Sequence, residues 1–488
     1  MTEPVPLSEW EYPWLTGQGS LSNADNLAGD IQERALTAES EQFVRQNSAQ
    51  NQRLIDRYNR LNTPGPGIDS APGLSTVQID QAAEQLAFEE LLVRSSHMPA
   101  DGARPEVVEL LADQGFTAAP ISVPELPEVT VLRIQDATGP LTAEQLKAPL
   151  RILWAAKIDA SLNQCPPLGY TAKSVTNDSG PRPSQNHPPN RLVSTSADDP
   201  IHKVAVIDTG IADQARQDHW LDGIPTDQQD IDPLYLDQSG VLSEIAGHGT
   251  FVSGVIRQVD TRADIRMYGV FGSDGIAGDL DVAKALLRAV QDGVRIVNLS
   301  LGTVMLDNRP PVATMVALEL IAQRETDVVV VVCAAGNNKN ETEVFPAAFS
   351  RHQWKVGTVR VVAVAGLERD SSGAGFSSRG RWVDCSTLAR LVLSTFVQGT
   401  QVVTVEPVDI VDPPDHWPPV VYGPDSWALW TGTSFAAPQV TGAITRAARE
   451  QDKSVADALD WLLTQGTDLS SSGFGRALQI LPDRNPPA

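Results

Sequence analysis

Five short apolar runs in the second half of the chain constrain its fold most strongly. They lie at residues 204–207, 265–270, 296–299, 328–333 and 359–365. Each run is almost continuous rather than alternating, which is typical of strands buried on both faces of a parallel sheet. Helical patterns lie between the runs, most clearly at residues 279–291 and 311–324. The alternation predicts an α/β fold with a doubly wound, mostly parallel sheet, and a site at the carboxyl ends of its strands.

The first two hundred residues divide into three parts. Residues 1–80 are polar and predict a partly helical N-terminal region, in which a thin apolar stripe with helical spacing occupies residues 54–61. Residues 81–160 alternate short strand-like and helix-like stretches and predict a small α+β module. Residues 161–200 contain seven prolines, so we expect a linker without regular strands or helices.

The α/β domain is expected over residues 201–480. It carries an insert at about 397–427 that contains six prolines. The insert lengthens the connection that precedes the segment at 432–438.

Charge and cysteine content exclude several classes of function. The chain has 37 basic and 61 acidic residues and a net charge of −24, which argues against nucleic-acid and anionic-membrane partners. Three cysteines are too few for a disulfide framework and favour a reducing compartment. The longest apolar run has eight residues (328–335), fewer than the roughly 20 of a spanning helix. The N-terminus also lacks a basic segment followed by an apolar one, so a cytoplasmic location is expected.

An acid, an imidazole and a hydroxyl follow the apolar runs in the order Asp, His, Ser. Asp208 directly follows the first run, His248 lies in Gly-His-Gly-Thr, and Ser434 lies in Gly-Thr-Ser-Phe-Ala-Ala-Pro. A serine hydroxyl becomes a good nucleophile when a base takes its proton, and the base needs a carboxylate to fix its tautomer. The three residues are therefore predicted to form a catalytic triad.

Asn337 supplies a fourth element of the same scheme. It follows the apolar run at 328–335 within Gly-Asn-Asn, where its side-chain amide can donate to a developing oxyanion. The backbone N–H of Ser434, at the start of a helical stretch that reaches about residue 450, is the expected second donor.

Together these segments resemble the subtilisin-like serine peptidases (subtilases), and the resemblance covers about residues 200–465. It implies a peptide or protein substrate and no required cofactor. It also implies a pocket wall at Ser300, Leu301 and Gly302, and a strand-pairing edge for the substrate that includes Gly275 and Gly278. Phe435, in place of the methionine commonest in the family, is expected to pack inward.

Other interpretations of the same residues are weaker. Asp-Thr-Gly also occurs in aspartic peptidases, but the second such loop offered here, at 178–180, has polar, proline-rich flanks. His248 could be a helix-start residue, Ser434 an N-cap and Asn337 a turn residue. Acids at 227–237 could bind calcium, as in many subtilases, but they lack the regular spacing of a calcium loop, so solvated acids are expected and no metal ligand is assigned.

The N-terminal half and the substrate have open alternatives. The module at 81–160 lies where subtilases carry a prosegment, which implies that it restrains the peptidase; it could instead be a permanent module that binds a protein partner through residues 1–160. The whole chain could also be a catalytically silent scaffold that binds peptides. Glu341 and Glu343 follow Asn337 closely, and an acidic rim there would favour basic peptides.

Overall fold

The N-terminal module is an antiparallel sheet with helices packed against it. The computed structural model describes residues 48, 51–60, 62, 71–79, 84–97, 106–166, 180–188, 202–235, 240–243, 245–272, 275–352, 354, 358–402 and 419–481. Within the module the elements are α1 (51–60), β1 (Leu74–Gln78), β2 (Glu84–Arg94), α2 (Glu106–Ala112), β3 (Thr117–Ser122), β4 (Val129–Asp136), β5 (Gly139–Pro140), α3 (Lys147–Ala155) and β6 (Ala160–Cys165).

Sheet pairing in the module is antiparallel throughout. The order is β1-β2-β4-β3, with β6 paired to β2 and β5 paired to β4. On α1, Leu54 and Tyr58 from the predicted stripe are buried against Leu74 and Phe88, whereas Leu61 lies outside the described residues. The Thr142–Gln145 pair makes the reciprocal hydrogen bonds of a capping box, at 2.9 and 3.4 Å, just before α3.

A strand inside the proline-rich region corrects one prediction. Residues 182–184 form β7 (Arg182–Ser184), which pairs antiparallel with a strand of the following domain, and β6 already occupies the start of the region predicted to be a linker. The hydroxyl of Tyr422 donates to the carbonyl of Pro181 at 2.7 Å. Proline is tolerated here because β7 lies at the edge of its sheet, where a missing N–H can face away from the neighbouring strand and removes no hydrogen bond between strands.

An eight-stranded sheet forms the centre of the second domain and confirms the predicted fold class. Its order is β20-β21-β15-β14-β12-β10-β8-β9, and every pair except β20–β21 is parallel. The strands and helices are β8 (Lys203–Asp208), α4 (His248–Val259), β9 (Asp264–Gly269), α5 (Asp279–Gln291), β10 (Ile296–Leu299), α6 (Val312–Arg324), β12 (Val329–Ala334), β14 (Val359–Leu367), β15 (Cys385–Leu388), α7 (Ala437–Glu450), α8 (Val455–Thr464), β20 (Thr467–Asp468) and β21 (Arg476–Ala477).

Helices cover both faces of this sheet, so its strands are buried on both sides. Helices α5 and α6 pack on one face, and α4, α7 and α8 pack on the other. Smaller pairs complete the domain: β11 (Thr303–Val304) with β13 (Val344–Phe345), β16 (Val392–Thr395) with β19 (Trp427–Trp430), and, within the predicted insert, β17 (Gly399–Gln401) with β18 (Val420–Tyr422). No helix of the described residues combines the length and apolarity required to traverse a bilayer.

The module docks on the helices that cover one face of the large sheet. Leu126 and Val129 belong to the same apolar cluster as α5 and α6. Two side chains of β6 cap these helices: Asn163 Oδ1 accepts from the N–H of Leu280 at 3.3 Å, and Ser161 Oγ accepts from the N–H of Val312 at 3.1 Å. The interface therefore satisfies backbone donors that a helix start leaves without intrahelical partners.

Candidate active site

Asp208 and His248 are in direct contact at the carboxyl edge of the large sheet. Asp208 is the last residue of β8 and His248 the first of α4, and both are buried. His248 Nδ1 lies 2.7 and 2.9 Å from the two carboxylate oxygens of Asp208. Because a carboxylate can only accept there, the Nδ1 atom carries the proton and Nε2 is left as the basic nitrogen.

Close backbone packing brings β8 and α4 together. A Cβ added to Gly249 would lie 2.3 Å from the carbonyl oxygen of Gly210, so the first turn of α4 can approach the loop after β8 only with glycine at this position. The hydroxyl of Thr250 accepts from the N–H of Ala212 at 3.0 Å across the same contact. The two residues that follow His248 in the Gly-His-Gly-Thr segment thus each have a structural explanation.

Ser434 lies in a single 3-10 turn, Thr433–Phe435, that precedes α7. Its carbonyl accepts a hydrogen bond from Ser300 Oγ at 2.7 Å, and Ser300 in turn accepts from Asn298 Nδ2 at 2.9 Å. This buried chain ties the turn to the end of β10. Among the hydrogen bonds of the described residues there is none from Ser434 Oγ to His248; such a bond is often long in the free enzyme and tightens on substrate binding.

Aromatic rings fix the imidazole beside this turn. Trp430, four residues before Ser434, and Phe435, which follows it, each place a ring centroid 5.4 Å from that of His248. Phe251 packs on both of them, at 5.6 and 4.5 Å. Phe435 is fully buried, which confirms its predicted inward packing. The segment that carries Ser434 therefore packs against the ring of His248 through these aromatic side chains.

Asn337 is oriented by the residue before Ser434. Its Oδ1 accepts from both the N–H and the hydroxyl of Thr433, at 3.0 and 3.1 Å, and the Thr433 hydroxyl accepts from the N–H of Gly336 at 3.1 Å. A backbone N–H must face an oxygen, so the amide cannot be flipped. The NH2 group of Asn337 is therefore the half of the amide available to a ligand.

The space beside the predicted pocket wall is small because a valine side chain fills part of it. Cβ atoms built on Gly302 and Gly336 would lie 2.7 and 2.9 Å from Cγ atoms of Val344. Val344 itself is buried in β13. Of the predicted wall residues, Ser300 and Leu301 are buried and Gly302 is partly exposed, so Ser300 supports Ser434 from behind rather than presenting its side chain to solvent.

The predicted substrate edge is covered by the N-terminal half. Ile276 lies in one apolar cluster with Leu54, Tyr58 and Phe88. A Cβ on Gly278 would lie 2.4 Å from Asn163 Oδ1, and one on Gly275 would lie 3.7 Å from Arg57. Both glycines are buried, Gly278 against Asn163 of the module and Gly275 between Ile245 and the nearby Arg57 of α1.

The prediction that the acids at 227–237 are solvated loop residues is wrong for two of them. Asp227 is exposed, but Asp230 and Asp232 are both only 3% exposed. Asp230 accepts from the N–H of Gly269 at 3.0 Å and pairs with Arg288, and Asp232 accepts from two protein donors. These two carboxylates are committed to protein partners and are not the free oxygen ligands that calcium needs, and Asp237 lies outside the described residues.

A cavity of about 880 Å³ opens beyond the Asn337 loop. Glu341 and Glu343 line it, together with Arg351 and Arg381. The lining of this cavity carries both signs of charge, and a preference for basic peptides stays a prediction from the sequence. The three cysteines are buried, and none of them forms a disulfide within the described part of the chain.

This fold and this site define a class of α/β proteins with a buried carboxylate–imidazole pair at the carboxyl edge of a doubly wound parallel sheet. The chain belongs to the subtilase family, whose family model matches residues 202–476. The predicted resemblance is therefore confirmed.

Several curated proteases are similar to part of the chain. A thermophilic serine proteinase of Bacillus sp. (strain AK1) is 28% identical over 254 residues, which are 49% of this chain and 50% of that protein. The minor extracellular protease Vpr of Bacillus subtilis (strain 168) is 32% identical over 170 residues, 33% of this chain and 20% of Vpr. The matched region spans about half or less of the length of these relatives.

Among solved structures, a lanthipeptide protease matches with 21% identity, a TM-score of 0.41 and coverage of 57% of this chain and 85% of that one. A cold-adapted subtilisin-like serine proteinase matches with 19% identity, a TM-score of 0.40 and coverage of 63% and 98%.

Proposed function

We propose that this chain is a serine endopeptidase that cleaves peptide bonds through an acyl-enzyme on Ser434. The observation that carries the proposal is the buried pair of Asp208 and His248, joined at 2.7 Å, beside the turn that holds Ser434. Membership of the subtilase family supports the same chemistry. The three side chains form an Asp-His-Ser triad in this proposal.

Each step of the reaction has a residue to perform it. Ser434 Oγ attacks the carbonyl carbon of the substrate while His248 Nε2 takes its proton, and Asp208 stabilises the resulting imidazolium. His248 then gives that proton to the leaving amine. A water molecule, deprotonated by the same nitrogen, attacks the acyl carbon and releases Ser434 with its proton restored.

The oxyanion of each tetrahedral intermediate has two candidate donors. Asn337 offers its NH2 group, because Thr433 occupies its carbonyl oxygen. The N–H of Ser434 is the second; it lies at the start of the short turn before α7, where backbone N–H groups have no intrahelical acceptor. Fixed donors of this kind stabilise the transition state without having to reorganise.

The substrate position before the scissile bond is proposed to take a small side chain. Val344 packs against both Gly302 and Gly336 and fills the space between them, which we take as the floor of the pocket. Alanine or glycine fits against such a floor, whereas a leucine side chain would need space that Val344 occupies.

We further propose that the N-terminal half restrains the peptidase. Helix α1 and strand β6 contact the edge at 275–278, where an extended substrate would otherwise add as a strand. A covered edge lowers activity until the contact opens or the chain is cut. A cytoplasmic location and a protein partner for residues 1–160 stay predictions from the sequence.

Covalent labelling tests the nucleophile directly. A fluorophosphonate probe should label the wild-type chain and should not label Ser434→Ala, since the phosphorus forms its bond with an activated serine. Ser471→Ala, which removes an exposed hydroxyl, is the matched control and should label like the wild type. Labelling that persists in Ser434→Ala would show that another residue is the nucleophile. Absence of labelling and hydrolysis in every variant, including one in which the covered edge is opened, would favour the silent scaffold.

Disrupting the covered edge tests the restraint. Leu54→Asp places a charge in the buried contact of α1 with Ile276 and should raise hydrolysis of a short peptide. Gln52→Asp adds the same charge on the exposed face of α1 and should not. Equal rates for the two variants would contradict restraint by α1. If wild type and Ser434→Ala have the same chain length on a denaturing gel, release does not occur by self-cleavage.

A further inference from the structure

A buried carboxyl group outside the predicted triad connects the segment that carries Asp208 with the segment that carries His248. Asp232 lies 3% exposed in the loop after β8, where its N–H donates to the carbonyl of Ile211 at 2.9 Å. Its Oδ2 atom accepts two hydrogen bonds, from Thr209 Oγ1 and from the N–H of Gly247, both at 2.8 Å. No sequence motif marks this residue.

The two donors are the immediate neighbours of the catalytic pair. Thr209 follows Asp208 and donates its N–H to Asp208 Oδ1 at 2.7 Å. Gly247 precedes His248 at the start of α4. The Thr209 hydroxyl also accepts from the N–H of Gly249 at 3.0 Å. One oxygen atom of Asp232 therefore ties the end of β8 to the start of α4, on both sides of the contact between carboxylate and imidazole.

The environment of Asp232 sets its charge as well as its contacts. Burial raises the pKa of Asp232 to about 8; the hydrogen bonds from Thr209 and Gly247 lower it in part, and the negative charge of Asp208 on β8 raises it. His248 on α4 is the other titratable group of this contact, reached through Asp208. At neutral pH the carboxyl group is mainly protonated, and its carbonyl oxygen accepts both hydrogen bonds without placing a second negative charge beside Asp208.

We propose that Asp232 is a positioning residue that sets the approach of His248 to Asp208, and that it does so as a neutral carboxylic acid. The proposal rests on the proposed function, because the geometry it controls is that of the triad. Catalytic groups need placement to within about 0.5 Å, and a misplacement of about 1 Å can lower the rate by about a hundredfold. Asp232 does not touch the substrate in this proposal.

Two substitutions separate the acceptor from the charge. Asp232→Asn keeps an oxygen that can accept from Thr209 and Gly247, and at pH 7 it should retain kcat within about twofold. Asp232→Ala removes the acceptor and should lower kcat by about 10- to 100-fold with little change in KM, because substrate contacts are untouched. Asp227→Ala, an exposed acid of the same loop, should leave both constants unchanged. Wild-type hydrolysis is measured first, and its absence would contradict the proposed function rather than this inference.

A pH profile keeps the test decisive if Asp232→Ala does not fold. Above about pH 8 the wild-type carboxyl ionises next to Asp208, whereas Asp232→Asn cannot. Repulsion between the two carboxylates should then lower the ratio of wild-type to Asp232→Asn kcat, with an inflection near pH 8. A flat ratio from pH 6 to 10, wild-type kcat in a folded Asp232→Ala, or a folded Asp232→Asn as impaired as the alanine variant would each overturn the proposal.

Discussion

Shortening Val344 should change which residue the enzyme accepts before the scissile bond. In the structure the two Cγ atoms of this buried valine lie against the Cα positions of Gly302 and Gly336, on either side of the predicted pocket. Val344→Ala removes both Cγ methyl groups and leaves that volume open. We expect the wild type to prefer alanine over leucine at this position, and the variant to shift towards leucine.

The size of the shift follows from the two methyl groups. Each carbon that a leucine side chain buries in the opened space is worth about 0.8 kcal/mol, so two of them give about 1.6 kcal/mol. This corresponds to a change of about fifteenfold in the ratio of kcat/KM values, within the range known for one or two carbons in a hydrophobic pocket. The stability lost is of similar size and leaves most of the 5–15 kcal/mol of a typical domain.

Paired peptides that differ only in alanine or leucine before the cleaved bond provide the assay, with kcat/KM measured for both. Val304→Ala is the matched control, since Val304 is a buried valine in β11 directly opposite Val344 in the strand pair. It should lose comparable stability without changing the preference. A wild type that prefers leucine, or an unchanged ratio in an active Val344→Ala, would refute the assignment of Val344 to the pocket floor.

Three further results are expected. Asn337→Ala should lower kcat by about 10² to 10³ with little change in KM, the magnitude known for a side-chain oxyanion donor in subtilisin; wild-type kcat would exclude the role. Gly249→Ala should lower the melting temperature by several degrees or prevent folding, because its Cβ would lie 2.3 Å from Gly210 O. Burial raises the pKa of Asp279 to about 6, so its contribution to stability is full below about pH 4 and lost as the pH rises through 6. The difference in unfolding free energy between Asp279→Asn and wild type should therefore vary over that window in denaturant titrations, and a constant difference would contradict it.

The local pattern of apolar and polar residues was sufficient to predict the main strands and helices of the second domain. The apolar run at 296–299 coincides with β10, and the helical pattern at 279–291 coincides with α5. Strands buried on both faces have continuous apolar runs, and helices with one apolar face have apolar residues at helical spacing. Both patterns are visible in the local sequence, so no long-range information is needed to predict them. The segments around Asp208 and His248 were recognisable because close backbone approach and acid–base chemistry restrict the residue types at neighbouring positions.

The features that escaped prediction depend on partners distant in the chain. Strand β7 has only three residues, and its proline-rich sequence does not favour a strand. It forms a strand because it pairs with β19. Asp232 looks like any loop acid in the sequence; its apolar neighbours Ile231 and Leu234 were the one local sign of burial. Its function as an acceptor depends on Thr209 and Gly247, which only the fold brings to it.

The pairing of β7 with β19 has a consequence for the order in which a ribosome completes this molecule. Pro181 and its hydrogen-bond partner Tyr422 are separated by 241 positions, and Ser434 follows the second of them. The module at 74–165 consists largely of contacts within itself and can form early in synthesis. The sheet that contains β19, just before the Ser434 turn, can close only after the chain up to about residue 430 has left the ribosome. A nascent chain of this sequence would therefore contain the folded module, which is the proposed restraint, well before the proposed nucleophile Ser434 is in place.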